Sequence, residues 1–202
     1  MQTNHLSHFL LAKELFPLLE LAAERRGEAR IVMHSSGARK YPSAPLDAKY
    51  LGKNGGNLGG NGASMFLGSA RWQRYHQTKL ANAVFTHALA TKLSAKGSRV
   101  KAICAAPGLA ATNLQVSTAS DGGFGTESFI MRFAQSAEDG TMGLLTACAG
   151  DSGSGEMWEP SGMTGIPVGG TFEKRGEHQV TDDKWTKILW EESEKACGAW
   201  PL

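Results

Sequence analysis

Apolar positions recur at helical spacing over long stretches of the chain and as short unbroken runs between them. Leu6, Phe9, Leu10, Leu15, Leu18, Leu19, Leu21 and Ala22 fall largely on one stripe, which predicts a helix from about residue 2 to residue 25. Pro17, having no N–H, is expected to bend that helix or divide it. After a turn at Gly27, Arg30-Ile31-Val32-Met33-His34 reads as a short buried strand that ends in Ser35-Ser36-Gly37. A long helix follows from Trp72 to about Lys96, with apolar residues at Leu80, Ala83, Val84, Ala88, Leu89 and Leu93, and Gly97 closes it. Arg99 to Cys104 is a second strand, and Ala105 to Thr112 forms the loop leaving it. Strand, helix, strand at this spacing predicts a parallel crossover unit and an α/β fold. Another helix is expected over Ala137–Ala149 and a third short strand at Glu156-Met157-Trp158. Pro160 to Gly170 is turn-rich, and an amphipathic helix from Asp182 to Ala196 closes the chain around Trp185, Ile188, Leu189 and Trp190.

Two stretches interrupt the periodicity. Residues 38–70 carry Pro42, Pro45 and a glycine- and asparagine-rich run from Gly52 to Gly62, and are read as a flexible insertion. A phosphate loop is excluded there, because no strand precedes the run, no helix follows directly, and no Lys-Ser or Lys-Thr ends it. Residues 114–136 carry Gly122, Gly123 and Gly125 before Phe129, Ile130 and Phe133, and read either as a substrate-covering segment or as a plain surface connection. Asp151-Ser152-Gly153, placed at the end of a helix, is read as a turn and not as a hydrolase serine.

At 202 residues, the length fits a single domain spanning 1–202. Apolar residues make up 41% and the net charge is +2, so neither disorder nor an electrostatic nucleic-acid surface is indicated. The three cysteines, Cys104, Cys148 and Cys197, are far apart and show no metal-ligand spacing, so no disulfide framework and no metal site are expected. That usage fits a reducing, cytoplasmic compartment. No run is long and apolar enough for a transmembrane segment, and the N-terminus lacks the pattern of a signal peptide.

Candidate chemistry centres on Tyr75 and Lys79. On a helix, positions four apart share a face, so the Lys79 ammonium is expected to lie near the Tyr75 phenol and to lower its pKa toward neutrality. Ser36 stands at the carboxyl end of a strand, the place where open α/β sheets bind ligands.

Four motifs in this order resemble the short-chain dehydrogenase/reductase family, over about residues 2 to 170. Asn4-His5-Leu6-Ser7-His8-Phe9-Leu10-Leu11 is similar to the Asn-His-Leu-Gly-His-Phe string of the branch holding retinol dehydrogenases, WW-domain oxidoreductases and protochlorophyllide reductases. His34-Ser35-Ser36 matches the strand end with the catalytic serine, Tyr75 and Lys79 match the Tyr-x-x-x-Lys pair, and Pro107-Gly108 to Thr112 matches the Pro-Gly-x-x-x-Thr loop. The resemblance implies an NAD(P)-dependent oxidoreductase that interconverts an alcohol and a carbonyl compound, with a lipophilic substrate in view. It makes Tyr75 the proton donor and acceptor, Lys79 its partner and a ribose ligand, Ser36 the holder of the substrate oxygen, and Asn4 part of a proton relay. Pro107, Gly108 and Thr112, with Tyr75 and Lys79, are the expected cofactor contacts. NADP is favoured over NAD from the branch alone.

The glycine-rich Thr-Gly-x-x-x-Gly-x-Gly turn and the first βαβαβ half of that family have no counterpart in this sequence. The implied fold is therefore the C-terminal portion of a Rossmann-like, doubly wound parallel sheet, with the N-terminal half missing. Two expectations follow: a truncated oxidoreductase, or a non-catalytic remnant acting as a binding or dimerisation module, a homo-oligomer. In either case the strand at Arg30 to His34 should present an apolar edge.

Overall fold

The computed structural model describes residues 1–41, 46–51, 70–111 and 129–202. A π-helical turn over Gln2–Leu6 leads into α1, Ser7–Arg26. Pro17 lies inside α1 without dividing it, because the turns around it keep their bonds and Phe16 is anchored in the core. Gly27, at φ +94°, donates its N–H to the Ala23 carbonyl and ends the helix. The strands are β1, Ala29–His34; β2, Val100–Ala105; β3, Glu156–Pro160; and β4, Pro167–Thr171. They lie in the order β1-β2-β3-β4, with β1, β2 and β3 parallel and β4 antiparallel to β3. The predicted class, α/β with a mostly parallel sheet, is therefore what forms. β4 falls inside the stretch expected to be turns. Its two glycines hide it, and Gly169 is needed because a Cβ there would come within 2.5 Å of the Trp158 indole lying across it.

The remaining helices are α2, Ala48–Leu51; α3, Ala70–Lys96; α4, Ala137–Ala149; α5, His178–Thr181; and α6, Asp183–Cys197. Alternate residues of β2 face opposite ways. Ala102 and Cys104 join the large core under α1, α3 and α6, while Ile103 and Ala105 pack with Ala147 of α4 on the other face. Aromatic rings knit the large core. Phe9 lies 5.3 Å from Phe85 and 5.1 Å from Trp200, and Phe85 stacks on Trp190. Leu46 and Leu51, from the stretch read as a flexible insertion, are also buried there.

The predicted apolar stripe of α1 is only partly the buried one. Leu6, Phe9, Ala12, Phe16 and Ala23 are buried, whereas Leu10, Leu11, Leu15, Leu18 and Leu21 are exposed. The reason lies in the sheet. Among the described residues β1 is its edge strand, so the half of α1 that overhangs that edge has no described strand beneath it.

His5 sits wholly inside the aromatic core, with Nε2 2.8 Å from the Ser193 hydroxyl. Burial holds its pKa down to about 4. A folded-state pKa below the unfolded value means that the unfolded chain binds more protons between about pH 6.5 and 4. Stability is then fully present above that window and falls as pH drops through it. A loss on the order of 3 kcal/mol is expected from this group by about pH 4. Urea midpoints measured from pH 7 to 4 should show the decline in wild type and a flatter profile in His5→Gln, which cannot titrate. Equal slopes would place the acid sensitivity elsewhere.

Candidate active site

β1 delivers Ser35 and Ser36 to its carboxyl end, and the two hydroxyls do different work. Ser35 is buried and donates to the Lys79 carbonyl at 2.8 Å, pinning α3 to the strand end. Ser36 caps a 3₁₀ turn over Gly37–Lys40, its Oγ accepting from the Ala38 N–H, and its hydroxyl lies beside the Tyr75 phenol, where it favours the ionised form. Lys79, four residues along α3, donates to the His34 carbonyl at 3.3 Å, and its ammonium lies 5.8 Å from the centre of the Tyr75 ring.

This geometry corrects the expected pKa of Tyr75. Burial pushes the phenol up, and only the Ser36 hydroxyl pulls the other way. The Lys79 ammonium is turned to the His34 carbonyl and lies over the ring, and it does not lower Tyr75. Burial also lowers Lys79 itself. Near neutrality Tyr75 is a phenol, a proton donor held against a hydroxyl.

Asn4 lies in the π-helical turn ahead of α1 and donates to Thr78 Oγ1 at 3.2 Å, and Thr78 donates to the Tyr75 carbonyl at 2.8 Å. Single π turns are frequent at functional sites, since they widen a helix and re-aim one side chain. Asn4, Ser36, Tyr75 and Lys79 are thus brought together by three elements.

Pro107 and Gly108 leave the carboxyl end of β2, next to that of β1, where Ala105 lies opposite His34. Thr112 lies outside the described residues, as do 114–128 of the covering segment and 42–45 and 52–69 of the insertion. Pro107 offers its carbonyl to the Gln135 amide. Gly108 adopts φ +72°, and a Cβ there would come within 2.5 Å of the Met163 carbonyl oxygen and 2.8 Å of the Pro160 ring. Its glycine character is thus required by the turn between β3 and β4. Gly108→Ala combines a left-handed backbone with a clash against main chain, and should cost at least about 2 kcal/mol. A urea midpoint equal to that of wild type would show that this turn yields freely.

Arg39 is a residue that the pattern of the chain does not single out. Its guanidinium is fully buried behind Ser36 and forms paired bonds of 2.6–2.9 Å to both Glu159 and Glu177. It also donates to the Ser36 carbonyl at 3.0 Å. Lys40 and Arg175 add further cations to Glu159. Burial alone would raise Glu159, but the bonds from Arg39 and Lys40 outweigh it and hold the carboxyl at about 2. In Arg39 burial pulls the pKa down and the two carboxylates more than restore it, so the group stays charged. The only signal in the sequence was a cation three residues after the strand-end serine.

Among the described residues no group of three or more His, Cys, Asp or Glu side chains could hold a metal, and no helix is long and apolar enough to cross a membrane.

The fold and site define an α/β protein with a polar cluster at the carboxyl end of a mostly parallel sheet. No family model matches the chain, and no curated protein matches it. Among solved structures it is similar to an uncharacterized protein from Mycobacterium Paratuberculosis, at 29% identity and a TM-score of 0.57. The match covers 99% of this chain and 59% of the other, so the chain spans less than two thirds of the length of that structure.

Proposed function

We propose that this chain carries the catalytic portion of an oxidoreductase of the short-chain dehydrogenase/reductase type, the C-terminal part of a Rossmann-like sheet, working with NADP or NAD on an alcohol or carbonyl compound in the cytoplasm. One observation carries the reading: the Ser36 hydroxyl and the Tyr75 phenol are brought together at the carboxyl end of β1, with Lys79 one turn further along the same helix. The residues present fit the nicotinamide end of such a cofactor. An ammonium has three donors, and Lys79 spends one on a 3.3 Å bond to a carbonyl, leaving it able to hold ribose hydroxyls. Pro107 and Gly108 border the same end of the sheet. A glycine-rich turn for the pyrophosphate is absent from the sequence.

When bound, the cofactor supplies or accepts the hydride. The chain's own groups do the rest. Ser36 Oγ positions the substrate oxygen and stabilises charge growing on it. The Tyr75 phenol gives its proton to that oxygen in the reducing direction. Ser35 and Arg39 fix the two ends of the short segment on which Ser36 sits, so the donor is held before substrate arrives.

The test is a titration of the full chain with NADPH and NADH, followed by nicotinamide fluorescence. Saturable binding is expected, weaker than in a protein that also grips the pyrophosphate. Absence of saturation up to millimolar cofactor would sink the enzyme reading for this polypeptide. In that case the alternative, a non-catalytic binding module, is favoured by the exposed leucines of α1 and the open edge of β1.

A further inference from the structure

A line of buried polar groups reaches Lys79 from the core. Ser193 of α6 and His5 of the π-helical turn are both fully buried, and the Ser193 hydroxyl lies 2.8 Å from His5 Nε2 and 2.6 Å from the Leu189 carbonyl. The imidazole also meets Asn82, which is buried and stands three residues after Lys79 on α3. Asn82 Nδ2 donates to the His34 carbonyl at 3.1 Å, the same oxygen that accepts from the Lys79 ammonium at 3.3 Å. The π turn thus serves the site twice. Asn4 bonds Thr78, which holds the Tyr75 carbonyl, and the next residue, His5, meets Asn82, which holds the His34 carbonyl.

The supply of protons along this line fixes its direction. His5 Nδ1 and Asn82 Oδ1 are buried on neighbouring side chains and have no hydrogen-bond partner elsewhere among the described residues. The Ser193 hydroxyl has one proton and two acceptors in reach. Given to Leu189, that proton forces the imidazole proton onto Nε2 and leaves Nδ1 and Asn82 Oδ1 as two bare, buried acceptors, a costly arrangement. The Leu189 carbonyl already accepts the helical N–H four residues on and loses little without it. Given instead to Nε2, the proton makes Nδ1 the N–H that faces Asn82 Oδ1, and every group has a partner. This also decides which end of the amide faces β1. The oxygen is committed to the ring, so the NH2 meets the His34 carbonyl, takes one of its two lone pairs and leaves the other to Lys79.

We propose that His5, as its Nδ1–H tautomer, and Asn82 are positioning residues for Lys79. With one lone pair capped, the carbonyl holds the ammonium by a single bond in a fixed direction, over the Tyr75 ring. On the cofactor reading, on which this proposal rests for its function, the two remaining N–H groups of Lys79 are thereby preset for ribose hydroxyls. Without the amide the His34 carbonyl is free to turn, and Lys79 with it.

The tautomer is read from a long-range proton–nitrogen NMR spectrum of the full chain at neutral pH, the His5 signals being those missing from His5→Asn. Protonated Nδ1 with bare Nε2 is expected, and the reverse would overturn the proposal whether or not cofactor binds. NADPH affinity, followed by nicotinamide fluorescence, supplies the functional half. Asn82→Leu has a similar shape but neither the oxygen nor the N–H, and should weaken NADPH roughly tenfold, the worth of one hydrogen bond. His5→Gln keeps a nitrogen near Nε2 and loses Nδ1, whereas His5→Asn puts its amide where Nδ1 stands. The first should weaken NADPH by a similar factor and the second should restore most of it, although both shrink a core side chain and lower the urea midpoint. Equal affinities in His5→Gln and His5→Asn would reduce the network to packing and overturn the proposal, as would an Asn82→Leu protein that binds NADPH like wild type. The expected tautomer in a wild type that binds no NADPH would sink the cofactor reading while upholding the network.

Discussion

Tyr75→Phe is expected to lower turnover by about 10²–10⁴-fold, the usual worth of a positioned acid or base, while leaving NADPH affinity nearly unchanged. The phenol is the only group of that side chain with a proton to give, and the ring that packs beside Trp72 is retained. Ser36 keeps its bond from the Ala38 N–H, so the strand end should stay in place. The direction of the pKa shift adds a second readout. Burial raises the phenol above its ordinary value near 10, so the donor form is present throughout the neutral range. Carbonyl reduction should then be flat from about pH 6 to 9, while alcohol oxidation, which needs the phenolate, should climb toward pH 10. An oxidation profile that levels off near neutrality would mean that bound cofactor redirects Lys79 onto the phenolic oxygen. Activity retained in Tyr75→Phe would remove the tyrosine from the chemistry.

The parts of this site that could be read from the sequence are those set by local geometry. Tyr75 and Lys79 are one helical turn apart, Ser36 ends an apolar run, and both statements need only neighbours in the chain. The pKa of Tyr75 was misjudged because spacing places Lys79 on the right face of α3 but does not say where its ammonium points, and the His34 carbonyl on another element decides that. β4 was hidden by Pro167, Gly169 and Gly170, and became a strand through pairing with β3 and the Trp158 ring laid over it. The leucines of α1 obeyed helical periodicity, yet periodicity cannot tell a face that meets a sheet from one that overhangs its edge. Arg39 was invisible because its carboxylate partners lie 120 and 138 residues further along the chain. Each miss concerns a contact between elements, which the pattern within any one element does not carry.

Arg39→Ala should be the most destabilising single change near the site. Truncation removes the cation buried between the two carboxylates and leaves them Lys40 and Arg175; breaking a buried pair typically costs about 3–5 kcal/mol, and the remaining cations set the loss toward the lower end of that range. That is a large part of the roughly 5–15 kcal/mol that holds a domain folded. Arg39→Lys keeps the charge but loses the two planar forks to Glu159 and Glu177, and should fall between the two. Acid titration distinguishes this mechanism from simple loss of packing. In wild type Glu159 is held at about 2, below its unfolded value, so its contribution is present above about pH 4.5 and is lost as pH falls through 2. Without Arg39 only Lys40 and Arg175 are left to oppose the burial of Glu159, so its folded pKa should rise, protonation costs the variant less than wild type, and the deficit shrinks as pH falls below 5. Urea midpoints of both proteins from pH 7 to 3 would show the two curves converging. A deficit independent of pH would assign the role of Arg39 to volume alone. The same variants report on the site, because the guanidinium also holds the Ser36 carbonyl: Arg39→Lys, if folded, should lose turnover while its cofactor affinity is kept.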